Sequence, residues 1–233
     1  MKVAVYGIPD FPFGKKNLPD ERLDQLKDLF RAPKIVYISI EFLDESRLPE
    51  ADGIICMQNK KTDLVLLDLE IVERRLNQIE DEKEKVLFLR CQAELEKEIF
   101  LNAINLSPEE KAVLANSGFN TMKPVLVVSN DNASNHKAIF KDIYALMGYI
   151  SFYSACNKEV HAWSIKNGTK AVEAAGVIHS DLQRGFIKAE VVSSEAVLSS
   201  GGINQAKSKG AEHLEDKEYI VKDGDIISVR FNV

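Results

Sequence analysis

Two glycines and two lysines near the N-terminus are of types suited to binding phosphate. Gly7 ends the first apolar stretch of the chain, and Gly14, Lys15 and Lys16 follow a short distance later. A phosphate-binding loop has the pattern G-x-x-x-x-G-K-[ST], in which N–H groups surround phosphate, the lysine neutralises charge and the hydroxyl holds Mg²⁺. These residues are therefore candidates for an anion or nucleotide site.

The spacing of these residues departs from that pattern. Gly7 and Gly14 are separated by six residues where the pattern has four, and neither of the two residues after Lys15 carries a hydroxyl. Pro19 prevents a helix from starting directly at Gly14. Two prolines and a glycine in residues 8–17 predict a loop. We therefore favour a solvated loop over a residual anion site.

No other set of side chains predicts catalysis or metal binding. The four His residues are isolated, and no Ser-His-Asp or Cys-His set can be assembled. His179 lies close to Asp181, but a turn after a helix explains this pair better than acid–base chemistry. Cys56, Cys91 and Cys156 lack C-x-x-C spacing, which supports neither a zinc site nor a disulfide framework and suits a reducing cytosol.

The composition is that of a globular protein. The chain has 233 residues, of which 45% are hydrophobic and 28% charged, and its net charge is −6. An acidic chain is not a general polyanion binder, so RNA contact requires a local basic patch and DNA binding is not expected. Neither a signal peptide nor an apolar run of about 20 residues is found, so we expect a soluble cytoplasmic protein without membrane contact.

Apolar runs and one amphipathic segment predict an α/β domain from residues 1–61 and 106–154. A helix starts near Asp20, a good N-cap, and a later helix starts at Ser107, which forms a capping box with Glu110. The strands are predicted over residues 2–6, 34–42, 53–57 and 124–129.

Residues 62–105 contain neither Gly nor Pro and predict a helical, coiled-coil-like arm. Apolar residues from Val65 to Ile79 follow alternating steps of four and three, which is a heptad pattern. The polar run 80–85 interrupts it, and apolar residues resume at Phe88. We predict an antiparallel helical hairpin with its tip at residues 80–85, and one long helix is the alternative.

The last part of the chain, residues 155–233, predicts a compact mixed sheet with a short helix. Asp223-Gly224 is a turn signal that would join the last two strands in a hairpin. Trp163 is expected in the core rather than as a surface for stacking bases, and His161 on the exposed face of a strand. The strands are predicted over residues 160–165, 186–192, 219–221 and 226–231, and the helix over 170–175.

This C-terminal segment resembles the TGS-type domain of the YchF/Obg-like ATPase family. Several motifs match in order and spacing: Glu159-Val-His-Ala-Trp-Ser-Ile-Lys-Asn-Gly-Thr-Lys170, Ala174-Ala-Gly-Val-Ile-His-Ser-Asp181, Gly185-Phe-Ile-Lys-Ala-Glu-Val191 and Asp223-Gly-Asp-Ile226. The resemblance implies a β-grasp, ubiquitin-like fold for residues 155–233.

Weaker similarity to the same family extends upstream. Pro19-Asp-Glu-Arg-Leu-Asp-Gln-Leu26 resembles its Pro-Asp-x-Arg-Leu helix, and Lys123-Pro-Val-Leu-Val-Val-Ser-Asn130 resembles the strand before its base-recognition motif. The implied fold class is α/β: a reduced layer like that of a P-loop GTPase, with a helical hairpin insertion, followed by the β-grasp domain.

The nucleotide motifs of the family are altered in this chain. Asp44-Glu-Ser-Arg47 lacks the glycine of the family's Asp-x-x-Gly, and Asn130-Asp-Asn-Ala133 lacks the acidic residue of its N-x-x-E. The family's first helix and switch I are missing as well. These departures favour a degenerate G-like domain that does not hydrolyse nucleotide.

The resemblance implies a translation-associated setting, with the ribosome or a translation-associated protein or RNA as partner. We expect a non-catalytic adaptor or regulator that needs no cofactor. Lys166, Lys170, Arg184 and Lys188 could gather at one end of the small domain as a weak RNA contact, although a solvated face explains them more simply. The oligomeric state is not predicted.

Two alternative functions stay open. The first is a weak ATPase or GTPase that binds ATP or GTP with Mg²⁺ through residues Gly7, Gly14, Lys15, Lys16 and Asn130. The second is a sensor of a small ligand or a regulatory nucleotide in the TGS-like domain, which rests on the analogy of fold alone.

Overall fold

A computed structural model describes residues 1–232 as a mixed α/β chain. The strands are β1 Lys2–Tyr6, β2 Gly14–Asn17, β3 Lys34–Val36, β4 Ser39–Leu43, β5 Gly53–Met57, β6 Val125–Val128, β7 Tyr149–Ala155, β8 Glu159–Lys166, β9 Phe186–Ser193, β10 His213–Glu215 and β11 Asp225–Phe231. The α-helices are α1 Glu21–Phe30, α2 Lys61–Leu76, α3 Glu82–Leu95, α4 Pro108–Ala115, α5 His136–Leu146, α6 Ala171–Ile178, α7 Ser180–Arg184, α8 Ser194–Ser200 and α9 Ile203–Ser208.

These elements divide between two compact units. The first unit contains residues 1–16 and 40–147, and the second contains residues 17–39 together with the chain from Gly148 onward. Within residues 1–232, no helix is long and apolar enough to cross a membrane.

The first unit contains a five-stranded sheet in the order β2-β4-β1-β5-β6. β1 runs parallel to β4 and β5, and β5 runs parallel to β6. Every residue of β5 is buried, as is usual for a parallel strand covered on both faces. β4 lies on one side of β1 in the sheet, and the next strand along the chain, β5, lies on the other side. The strand order therefore reverses at β1. In open α/β sheets, ligands bind at the carboxyl ends of the strands beside such a reversal.

α2 and α3 form the predicted antiparallel hairpin rather than one long helix. Thr62, at the start of α2, hydrogen-bonds Glu98 beyond the end of α3 at 2.6 Å, and Arg75 near the other end contacts Glu84 at 3.0 Å. The tip lies earlier than predicted, because Asp81 accepts a hydrogen bond from the Glu84 N–H and starts α3. Its core contains the buried residues Val65, Val72, Leu87, Phe88, Cys91 and Leu95.

The second unit contains a six-stranded sheet in the order β10-β9-β11-β7-β8-β3. β11 is antiparallel to β9 and parallel to β7, which is antiparallel to β8. α6 packs on one face with Phe152 and Ile165. The next residue along β7, Tyr153, points to the opposite face, where its hydroxyl donates to Asp20 at the start of α1. The predicted α/β class is confirmed, and three of the four strands predicted for the last domain are present as β8, β9 and β11.

Residues 17–39 add a helix and a strand to this second unit, which the sequence analysis did not anticipate. β3 pairs in parallel with β8, with Lys34 opposite Glu159. The predicted strand over residues 34–42 is therefore two strands, β3 and β4, which belong to different sheets. Residues 1–61, predicted as part of one domain, are divided between the units, and the second unit resumes at Gly148 rather than residue 155.

Three local predictions were wrong. The segment 8–17 is not a loop throughout, because residues 14–17 form β2. Residues 219–221 make an isolated bridge between Lys170 and Ile220 instead of a strand. Asp223-Gly224 does not close a hairpin, since the antiparallel partner of β11 is β9. The Asp223 carboxylate instead accepts hydrogen bonds from the Ser151 N–H and from Arg22.

Candidate functional site

The carboxyl ends of β1, β5 and β6 meet at one edge of the first unit's sheet. Gly7 follows β1, Gln58 follows β5 and Ser129 follows β6. Neighbouring strands are about 4.8 Å apart, so the ends of β1 and β6 lie roughly 10 Å apart across β5. Gly7 and Asn130, two of the candidates for an anion site, follow the strands that end at this edge.

Lys60 covers Gly7 at this edge. Gly7 has φ +75°, and a Cβ added to it would lie 2.4 Å from Lys60 Cγ. Lys60 Nζ donates to Asp63 at 2.7 Å, and this hydrogen bond raises the pKa of the ammonium. The pKa of the adjacent Tyr6 is also raised, by burial first and then by Asp63. The side chain that crosses the Gly7 backbone is thus neutralised by a carboxylate of its own chain.

Gly14, Lys15 and Lys16 are not brought to Asn130. They lie in β2, where Lys15 is exposed and Gly14, at φ +85°, meets no atom within 4 Å of an added Cβ. β2 and β6 are the two edges of the sheet, four strand spacings or roughly 19 Å apart. Asn130 is exposed in a short 3₁₀ turn after β6. The residues predicted as one anion-binding set are distributed across the sheet.

Phe11 attaches the segment between β1 and β2 to the core. It is only 4% exposed, which an open loop would not predict. Its ring centroid lies 5.2 Å from that of Phe42 and 6.0 Å from that of Phe140. Phe42 and Phe140 stack with their centroids 4.3 Å apart. Such contacts fix the segment by apolar burial and by ring packing.

The segment at the position of the altered Asp-x-x-Gly motif makes local contacts. Asp44 accepts a hydrogen bond from the Ser46 N–H at 3.0 Å and caps a short 3₁₀ helix. The side chain of Ser46 also donates to it, and these bonds lower the pKa of Asp44. Arg47 binds Glu50 at 2.7 Å. These charged groups therefore stabilise the local 3₁₀ helix through contacts within the segment.

A polar cleft beside β6 contains residues that the sequence analysis missed. Its volume is about 340 Å³. Amide and carboxylate side chains at this place can donate to and accept from a polar ligand. The available signal was the Asn-rich stretch 130–135 directly after a strand. The polar side chains that line the cleft are Gln58, Ser129, Asn132, Asn135 and Asp142. The described part of the chain holds no cluster of His, Cys, Asp and Glu suited to a metal ion.

The four cations predicted to gather at one end of the small domain lie at opposite ends. Tyr153 of β7 lies opposite Ile226 of the parallel strand β11, and this pair serves as the reference point. Lys166 lies opposite Tyr149, which is four residues before Tyr153 on β7. Lys188 lies opposite Arg230, which is four residues after Ile226 on β11. At about 3.3 Å per residue, the two lysines are separated by roughly 26 Å along the strands.

Each end of this domain therefore carries its own pair of cations. Lys170 lies on the Lys166 side and contacts Glu218 at 2.5 Å. Arg184 precedes β9 on the Lys188 side and contacts Asp181 at 2.7 Å. Because Lys170 and Arg184 are paired with carboxylates and the two ends are far apart, the four cations do not form one continuous basic patch.

The aromatic and histidine residues of the second unit have structural contacts. Trp163 packs against the core cluster of this unit, and its Nε1 donates to Ser154 at 3.0 Å. His161, predicted to be exposed, stacks on Trp163 with the ring centroids 3.7 Å apart, and its side chain is 21% exposed. His179 has extended backbone between α6 and α7, where it accepts a hydrogen bond from the Asp181 N–H and caps α7. Its role is therefore structural, although it is a helix cap and not the predicted turn.

Comparison with known proteins finds a family model and several relatives that are similar to this chain. The family described as "YchF-GTPase_C: Protein of unknown function (DUF933)" matches residues 149–232. The "Ribosome-binding ATPase YchF" of Bacillus subtilis (strain 168) is 50% identical over 95 residues, which are 41% of this chain and 26% of that protein. The protein of the same name from Escherichia coli O157:H7 is 27% identical, over 96% of this chain and 92% of that protein.

The long alignment contains large gaps in this chain. It runs over 333 positions, and because this chain has 233 residues, at least 100 of those positions have no counterpart here. Among solved structures, the Schizosaccharomyces pombe YchF GTPase matches with a TM-score of 0.77 and 17% identity, over 99% of this chain and 97% of that one. That match concerns the fold.

Proposed function

We propose that this chain, a YchF-like protein, associates with the ribosome and does not turn over nucleotide. The relatives that match most of its length are named ribosome-binding ATPases. The family model matches residues 149–232, which belong to the second unit. The proposed loss of nucleotide turnover rests on one observation, that the side chain of Lys60 lies across Gly7.

ATP or GTP with Mg²⁺ does not fit the residues at the carboxyl edge of the first sheet. A phosphate cradle needs accessible N–H groups in a glycine-rich loop that opens a helix. Here Gly7 is shielded by the aliphatic part of Lys60, and Gly14 begins strand β2 instead of a helix. Asp44 caps its own turn. This geometry supports the loss of phosphate binding and of hydrolysis.

A reduced nucleotide-binding protein is the second candidate. The polar cleft beside β6 favours it, because its amides could hydrogen-bond a purine ring without a phosphate cradle. In that case the affinity would come from the base, and nucleoside and nucleotide would bind alike.

Ribosome association is tested by co-sedimentation of the full chain with purified ribosomes at low and at high salt. We expect the chain in the ribosomal pellet at low salt and its partial release at high salt, since contacts to phosphate are screened. Absence from the pellet at low salt would contradict the proposal.

The double variants Lys166→Ala/Lys170→Ala and Arg184→Ala/Lys188→Ala serve as a matched pair. They remove the same charge from opposite ends of the second unit's sheet. Release of only one variant identifies the contacting end, and equal retention of both excludes these four cations from the contact.

Calorimetric titration decides between the two candidates for the first unit. We expect no heat with ATP, GTP or adenosine in the presence of Mg²⁺. Heat with ATP and adenosine alike supports the base-binding cleft. Heat with ATP and GTP but not with adenosine supports a phosphate site and overturns the proposed loss.

A further inference from the structure

A groove between α3 and α4 is an apolar concavity that the proposed function does not use. Its volume is about 480 Å³. It lies in the helical part of the first unit, away from the carboxyl edge of the sheet. Its lining residues are Asp81, Lys83, Glu84, Val86, Leu87, Arg90, Glu109, Glu110 and Val113.

Three aliphatic side chains line this groove. Val86 on α3 is 64% exposed and Val113 on α4 is 42% exposed, whereas Leu87 is buried in the core of the hairpin. Moving exposed valine side chains out of water is favourable. The two exposed valines therefore offer apolar surface that a bound segment would remove from water.

Carboxylates dominate the rim. Four acidic and two basic side chains line the groove. Arg90, one of the two bases, is held by Glu110 at 2.8 Å and by the Asn105 carbonyl. Glu109 accepts a hydrogen bond from the Ser107 hydroxyl at 2.7 Å, and this bond lowers the pKa of Glu109. Glu84 is paired with Arg75 at 3.0 Å, so the lining charge of −2 is reduced to −1 when this pair is counted. The rim therefore keeps a small net negative charge, on Asp81 and Glu109 above all.

We propose that this groove docks an amphipathic helix of a protein partner, with aliphatic side chains on one face flanked by Lys or Arg. An apolar floor between two helices matches the face of a third helix. The acidic rim matches basic flanking residues and disfavours RNA, whose phosphates it would repel. The proposal rests on the groove alone and is independent of the proposed function.

The test uses the full chain with methyl labels on Val and Leu, followed by NMR. The probe is a synthetic helical peptide with Leu at positions i, i+3, i+4 and i+7 and Lys elsewhere. Its comparison peptide has Glu in place of Lys, and a single-stranded RNA oligonucleotide is the third probe. We expect the Lys peptide to shift the methyl signals of Val86, Leu87 and Val113, and the other two probes to leave them unchanged.

A matched pair of variants locates the effect. Val86→Lys/Val113→Lys places charge on exposed positions and should fold, while weakening the Lys peptide about tenfold or more. Leu66→Lys, on α2 and 51% exposed, should bind as the unmodified chain does. Sedimentation velocity of the chain alone checks for a second copy in the groove.

Several results would overturn the proposal. They are the absence of shifts with the Lys peptide, equal shifts with the Glu peptide, or shifts that appear only outside the groove. Perturbation of the Val86 and Val113 methyls by RNA would also overturn it. The same applies to a dimer that the Val86→Lys/Val113→Lys variant abolishes, because the occupant would then be a second copy.

Discussion

The side chain of Lys60 crosses the backbone of Gly7, so that a Cβ at residue 7 would lie 2.4 Å from Lys60 Cγ. Residue 7 also has a positive φ, which L side chains adopt at a cost. Glycine is required here for two separate reasons, a close approach and a backbone conformation. A glycine that resembles part of a phosphate-binding motif thus has a structural explanation within this chain.

Gly7→Ala should lower the free energy of unfolding by about 2 kcal/mol or more, because it adds a clash to the cost of the left-handed conformation. Gly14→Ala is the matched control, since Gly14 has φ +85° but no atom within 4 Å of an added Cβ. In double variants, Lys60→Ala should restore part of the unfolding free energy that Gly7→Ala loses, and none of what Gly14→Ala loses. Urea denaturation of the single and double variants measures this, and an absence of rescue would refute the close contact.

Asp68→Asn should destabilise the first unit by about 2–4 kcal/mol. The Asp68 side chain is fully buried in α2 and accepts hydrogen bonds from the backbone N–H groups of Asn120 and Thr121 and from both side chains. An amide cannot accept all four, because one of its two polar atoms is a donor. Glu70→Gln on the exposed face of α2 should change the stability by less than about 0.5 kcal/mol. Equal effects of the two variants in denaturant would contradict this account.

The fluorescence of Trp163, the single Trp of the chain, should report the protonation of His161 stacked on it. Burial lowers the pKa of His161 below 6.5, and the Glu159 carboxylate opposes this shift while Lys34 adds to it. Since the folded-state pKa is below the unfolded one, the neutral imidazole contributes stability above pH 6.5 that is lost as the pH falls.

Removing the acidic neighbour provides the check on this titration. Glu159→Gln should move the midpoint of the Trp163 signal to lower pH, because it removes the interaction that raises the His161 pKa. His179→Gln, at the cap of α7, should leave the midpoint unchanged. A midpoint above 6.5 in the unmodified chain would be inconsistent with the burial of His161.

Glu50 should contribute stability that depends on pH. Hydrogen bonds from Arg47 and Lys2 lower its pKa from 4.5 to about 2. A lowered folded-state pKa gives stability that is present above pH 4.5 and is lost as the pH falls toward 2. The difference in Tm between the unmodified chain and Glu50→Gln should therefore shrink below pH 4.5. A difference that stays constant over this range would show that the pair is screened by solvent.

Local sequence signals determined several elements of this protein. The Ser107–Glu110 capping box is present, with Glu110 accepting from the Ser107 N–H at 2.7 Å. The heptad pattern and its polar interruption predicted the helical hairpin. The capping box and the hairpin depend on residues close in sequence, where caps and periodicity act directly. The β-grasp sheet was expected from the resemblance of the C-terminal motifs to a known family.

Only the tertiary structure determined which unit each element joins and which side chains come into contact. Residues 17–39 join the second unit because β3 pairs with β8 and Arg22 contacts Asp223, partners more than 100 residues away. Lys60 reaches Gly7 because β1 and β5 are neighbours in the sheet, and Lys166 and Lys188 are separated because strand register places them at opposite ends. Long-range pairing has no local signal, so the sequence alone identified the candidates for an anion site and for an RNA contact as sets of residue types, without fixing their positions in space.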